Sequence, residues 1–218
     1  MTDPIVVDRR DSPRGELVLR RRGAGFEIIS NGVFLMDTSD GRSERLLVEA
    51  ALDIAAAGRR ILIGGLGVGL SLRAALDDPR TETVVVAEIE PAVVDWNRSY
   101  LAGVSDHALD DPRVEVLISD ILDLLRDDAS SYDAICLDVD NGPGWTVTDA
   151  NAALYSDTGT SLLVSRLHVG GALSVWGAAP DPSYQAILSR HLDDVRVLGV
   201  EVARGDPDVV WVGRRGPD

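Results

Sequence analysis

The sequence predicts an α/β protein: a mostly parallel seven-stranded sheet with an antiparallel last strand, preceded by a small N-terminal β-hairpin element. Three observations predict it. From residue 60 onward, apolar runs of strand length alternate with segments whose apolar residues recur at helical spacing. The first of these units carries the glycine-rich turn "GGLGVG" between its strand and its helix. The chain then closes with two β-rich runs separated only by "RGDP", too short for a crossover, so they must pair antiparallel.

The elements follow in order. Residues 15–36 read as short strands broken at Gly23-Ala24-Gly25 and at Asn31-Gly32, the second a two-residue hairpin signal. They place a small antiparallel unit over residues 1–42, with the main domain over 43–218. Arg20-Arg21-Arg22 reads as an exposed, charged strand edge. Ser43 is the expected cap of a helix through "ERLLVEAALDIAAAG" that stops at Gly58. "RILIGGL", "ETVVVAEIE", "RVEVLIS", "YDAICLD" and "GGALSVWG" are the five parallel strands. Their helices are "GLSLRAALDD", "PAVVDWNRSYL" with proline at its first position, "DILDLLRDD", "TGTSLLVSRLH" and "DPSYQAILSRHL", where Asp181 is the expected cap before Pro182. "VRVLGVEVA" and "DVVWVGR" form the final hairpin.

Composition narrows the function. The chain has 218 residues and a formal net charge of −15, which argues against nucleic acid or an anionic membrane as partner. That charge suits a cationic substrate, and it suits simple solubility equally well. All 21 basic residues are arginine, so lysine Schiff-base chemistry and the lysine grip of a P-loop are both excluded. No apolar run reaches spanning length, and the N-terminus lacks a basic-then-apolar signal, so a cytoplasmic protein is expected. Cys136 sits alone in an apolar strand and reads as a core thiol. His107, His168 and His191 have no ligand company, so no metal is expected.

The glycine turn is the strongest functional signal. Its spacing is G-x-G-x-G at Gly65, Gly67 and Gly69; the dinucleotide fingerprint would need glycine where Leu70 stands. The second strand ends in Glu88-Ile89-Glu90, where an acid can accept hydrogen bonds from both ribose hydroxyls. The third ends in Ser119-Asp120, placed by topology to meet an adenine amine, although Asp120 also reads as a helix cap. All three features fall at the carboxyl ends of neighbouring strands, the crevice where open α/β sheets bind ligands.

With "YDAICLD", the antiparallel final strand and the β preamble, this pattern resembles the spermidine synthase-like branch of the class I S-adenosylmethionine-dependent methyltransferase superfamily, a Rossmann-like fold. The resemblance implies that Gly65, Gly67 and Gly69 lie along the methionine-derived part of a sulfonium nucleoside. It implies further that Glu88 grips the ribose and that Asp120 contacts the adenine. The donor is then S-adenosylmethionine or its decarboxylated form, and the acceptor a small cationic amine. Where the family carries D-x-x-D-P, this chain has "LDVDNGPGW": Asp138 matches the first aspartate, and Asn141, which takes no proton at neutral pH, occupies the second. Asp140, one residue earlier, is the candidate base. The family's glutamine and Tyr-His-Glu set correspond to "FLMDTSDGRSERLLVEA", with no glutamine, tyrosine or histidine. Trp145, Tyr155 and Trp176 could form an aromatic box for an ammonium group, or could be packing. Three readings stay open: aminopropyl or related alkyl transfer to an amine, methyl transfer to a small molecule, and a non-catalytic nucleoside-binding relative. An N-terminal strand edge could also pair two subunits into a homodimer.

Overall fold

The computed structural model describes residues 3–127, 129–144, 146, 149–202 and 206–217. Eleven strands form two sheets among these residues. β1 (Ile5–Ser12), β2 (Gly15–Arg22), β3 (Gly25–Ser30) and β4 (Val33–Asp37) make an antiparallel meander in sequence order. The antiparallel preamble thus extends the expected hairpin to four strands. β1 went unread because its "IVVDRRDS" puts charges where an alternating pattern would need apolar residues. β2 is also interior, not an edge: Arg20 and Arg22 lie on its face, where both pair with the carboxylate of Glu27 across the β2–β3 ladder.

The second sheet runs in the order β10-β11-β9-β8-β5-β6-β7. β5 (Arg60–Gly64), β6 (Thr83–Glu88), β7 (Val114–Ile118), β8 (Tyr132–Leu137) and β9 (Leu167–Gly177) are mutually parallel. β11 (Asp208–Arg214) inserts antiparallel between β9 and β10 (Asp193–Val200). Successive residues feed opposite faces, as period-two pleating requires. Ile61, Ile63, Ala134, Cys136, Val210 and Val212 join a core with α1 (Arg42–Ile54), α2 (Leu70–Asp77) and α3 (Pro91–Asn97). Leu62, Ile135, Leu137, Val209 and Trp211 join another with α4 (Ile121–Asp127), α5 (Asp157–Ser165) and α6 (Pro182–His191). The chain builds outward from β5 to β7, then returns to place β8 on the other side of β5. That reversal opens a crevice at the carboxyl ends of β5, β6 and β8.

Several boundaries differ from expectation. α1 is capped by Gly41 without a side-chain bond and ends at Ile54, not Gly58. Ser43 lies inside its first turn, and its Oγ donates to Asp208 Oδ2 at 2.6 Å instead of capping. The tertiary partner at the start of β11 outcompetes the local cap. α5 stops at Ser165, so His168 is exposed at the start of β9 and paired with Asp133. Asp181 caps α6 as read, accepting from the backbone N–H groups of Ser183 and Tyr184.

Candidate active site

The crevice is a cleft of about 1030 Å³, roofed by the N-terminal sheet. Large drug-sized pockets reach about 1,000 Å³, so two small reactants fit side by side. Its floor is the glycine turn. Gly65 follows β5 with φ +89°, and its N–H donates to Ala87 O at 2.9 Å. A β-carbon there would stand 2.1 Å from the carbonyl oxygen of Asp138, so only glycine lets β5 and β8 end this close together. Asn97 of α3 donates from Nδ2 to Gly67 O at 2.8 Å and holds the turn from behind.

Gly65, Gly67, Glu88, Asp120, Asp138, Asp140, Asn141 and Trp176 all line this one cleft. Glu88, at the end of β6, accepts from Leu66 N at 2.9 Å on Oε2 and from Glu90 N at 2.8 Å on Oε1. Burial raises its pKa, with the two backbone donors opposing the shift. Each oxygen keeps a lone pair for a further donor. Asp120 caps α4 by accepting from Leu122 N at 2.8 Å, and it also faces the cleft.

Two residues fall elsewhere. Gly69 opens α2 behind the turn, where a β-carbon would meet Asn97 and Ser105 rather than a ligand. Tyr155 is buried under the loop after β8, with its hydroxyl donating to Val139 O at 2.5 Å and its ring edge-on to Tyr184 at 5.6 Å. Of the aromatic trio, Trp176 is the member that lines the cleft among the described residues; Trp145 lies outside them.

The loop after β8 is held at several points. Asp138 N–H donates to Gly64 O at 2.8 Å, and Ala178 N–H to Asn141 O at 3.0 Å. Asp140 is left-handed, with φ +56°, and Asn151 Nδ2 donates to its Oδ2. Its Oδ1 has no protein partner among the described residues, which leaves a fixed carboxylate with one open oxygen.

Two further carboxylates gather here that the sequence did not single out. Glu44, in the first turn of α1, and Asp208, at the start of β11, line the cleft beside Asp138. Loss of hydration pushes Asp138 up to about 8, reinforced by the charges of Glu44, Asp208 and Glu88. The same causes, burial first and then Asp208 and Asp40, bring Glu44 to about 7. Glu44 had a readable signal: it sits four residues before Val48, on the buried stripe of α1, where an acid is out of place. Asp208 gave none, because its partner Ser43 is 165 residues away. Arg14 is the only cationic side chain among the described lining residues; its Nε meets Glu90 Oε1 at 2.6 Å. Those residues form no metal-holding cluster.

The fold and cleft define a class, a Rossmann-like α/β protein with a cleft rich in carboxylates. Comparison makes it specific. The model of the spermine/spermidine synthase domain matches residues 42–175, and the chain belongs to that family. The polyamine aminopropyltransferase of Mycobacterium tuberculosis is 32% identical over 205 residues, covering 92% of this chain and 38% of the relative. That of a Synechococcus strain is 28% identical over 221 residues, covering 97% of this chain and 68% of the relative. The chain thus spans well under half of the mycobacterial relative's length. In fold, it matches the spermidine synthase of Thermotoga maritima with a TM-score of 0.81 at 21% identity, over 98% of this chain and 74% of that one. A spermidine synthase in complex with the transition-state analogue AdoDATO matches with a TM-score of 0.80 at 19% identity, over 98% and 73%.

Proposed function

We propose that the protein transfers an aminopropyl group from decarboxylated S-adenosylmethionine to an amine. Glu88 holds the ribose, Asp120 faces the adenine, and Asp140 receives the acceptor's proton. The observation that carries this reading is the meeting of Glu44, Asp138 and Asp208 by the glycine turn, with no arginine among the described residues lining that end. A donor carboxylate there would face three acids and no counter-ion, whereas an ammonium group would be drawn in. The names of the relatives support the same activity.

The donor supplies an activated carbon–sulfur bond with a neutral thioether leaving group. The protein's residues do the positioning. An aliphatic amine has a pKa near ~10 and arrives protonated, so a carboxylate must first draw off a proton to free the nitrogen lone pair. Asp140 Oδ1 is the open acceptor. The carbon–nitrogen bond then forms as the carbon–sulfur bond breaks, sulfur keeps the electron pair, and methylthioadenosine departs.

Thermal stabilisation by four ligands at equal concentration tests the donor, because the shift grows with concentration over Kd. Decarboxylated S-adenosylmethionine and methylthioadenosine should stabilise more than S-adenosylmethionine and S-adenosylhomocysteine. The reverse order would assign methyl transfer, and no shift with any of them would remove the nucleoside site.

A further inference from the structure

The roof of the cleft carries a group of apolar side chains beside the polar Ser30, Asn31 and Asp37. Leu17, Ile28, Val33, Phe34, Leu35 and Met36 line it, all from the N-terminal sheet. A regular strand would turn alternate residues away. In β4, however, Ile28 pairs with Met36 and Ile29 with Phe34, so Leu35 is a bulge. The bulge breaks the alternation and brings Phe34, Leu35 and Met36 to the cleft together. Met36 reaches the glycine turn itself: a β-carbon on Gly67 would stand 2.6 Å from its Cε. Further out, Val33 is 39% and Phe34 50% exposed, apolar surface that the described residues leave open. The cleft therefore has an acidic inner end and, further out, an apolar stretch of wall beside Asp37, in a space of about 1030 Å³.

We propose that the acceptor is an amine carried on an apolar body longer than a butyl chain, alkyl or arylalkyl, and not a short diamine. Its ammonium group sits among Glu44, Asp138 and Asp140, and its body lies along Val33, Phe34 and Met36. Each methylene laid on the wall leaves water, whereas a short diamine brings a second charge to the cleft in place of those methylenes. The amine's role as acceptor rests on the transfer reading above; its binding does not.

Calorimetric titration of the protein with straight-chain amines from butylamine to octylamine, and with putrescine, tests this. Affinity should rise by about twofold to fourfold per methylene, octylamine should bind more tightly than putrescine, and Phe34→Asn should flatten the slope. A flat series, or putrescine as the tightest ligand, would overturn the proposal. So would a dimer in sedimentation that Phe34→Asn dissociates with no chain-length dependence, which would assign the wall to a second copy. A steep series with no methylthioadenosine released from the decarboxylated donor would instead sink the transfer reading and leave the pocket standing. Release with putrescine alongside a flat series would do the opposite.

Discussion

Asp138 and Glu44 are held where ionisation is costly, and that makes the site sensitive to pH. Free carboxylates titrate near ~4, whereas these titrate at about 8 and about 7 because of lost hydration and neighbouring acids. The folded state therefore binds protons more tightly than the unfolded one. The stability this contributes is complete below pH ~4 and lost as pH rises through 7 and 8. The melting temperature should fall between about pH 6 and about pH 8.5, and the double variant Glu44→Gln, Asp138→Asn should lose most of that fall. Identical pH profiles for variant and parent would mean the two groups are not coupled. Single substitutions separate the two halves of the cleft. Glu88→Ala should abolish nucleoside binding in a titration with the fold intact. Asp140→Asn should slow transfer by about a hundredfold with nucleoside affinity retained, and equal rates would remove Asp140 as base. The meeting of Gly65, Glu88 and Asp120 in one cleft was legible in sequence because each ends or follows a parallel strand. Asp208 and Asn151 were not, since each acts through a partner that only the folded chain brings near.

Among the elements, the turn after β5 shows how tightly the site is built into the sheet. Gly65 is required by its φ of +89° and by the Asp138 carbonyl 2.1 Å from any β-carbon. Gly65→Ala should lower stability by at least ~1–3 kcal/mol and prise apart the ends of β5 and β8, read as a drop in melting temperature together with loss of nucleoside binding. An unchanged melting point would mean the turn relaxes without strain. Sequence patterning located every parallel strand here, because alternate residues such as Ile61 and Leu62 serve two different cores. It misjudged α1, where Ser43 in a capping context bonds to a strand from the far end of the chain. It also missed β1 and the bulge at Leu35, since neither leaves a period in the sequence.

For the molecule as a whole, the N-terminal sheet must stay seated over the α/β domain to complete the cleft. Hydrogen bonds through Asp8, Ser12 and Arg14 fasten it, with Ser12 Oγ donating to Glu90 Oε1 at 3.2 Å. Trp96 Nε1 donates to Asp8 Oδ2 at 3.0 Å, and Arg14 spans from the β1–β2 turn to Glu90 Oε1 and Ile89 O, both at 2.6 Å. Glu90 Oε2 is already buried without a partner, so Arg14→Ala leaves this carboxylate with less support. It should cost about 1 kcal/mol and speed amide exchange in residues 12–22, while exchange in β5 and β8 stays slow; uniform exchange would show that the clasp does not anchor the roof. This seating was beyond sequence reasoning, because docking of one sheet on another has no local signature. Aminopropyl transfer is read out by the release of methylthioadenosine when the protein is incubated with decarboxylated S-adenosylmethionine and an amine. Methylthioadenosine should appear in equal amount with the alkylated amine, and far more slowly with Asp140→Asn. Its absence from a folded protein that binds the donor would contradict aminopropyl transfer.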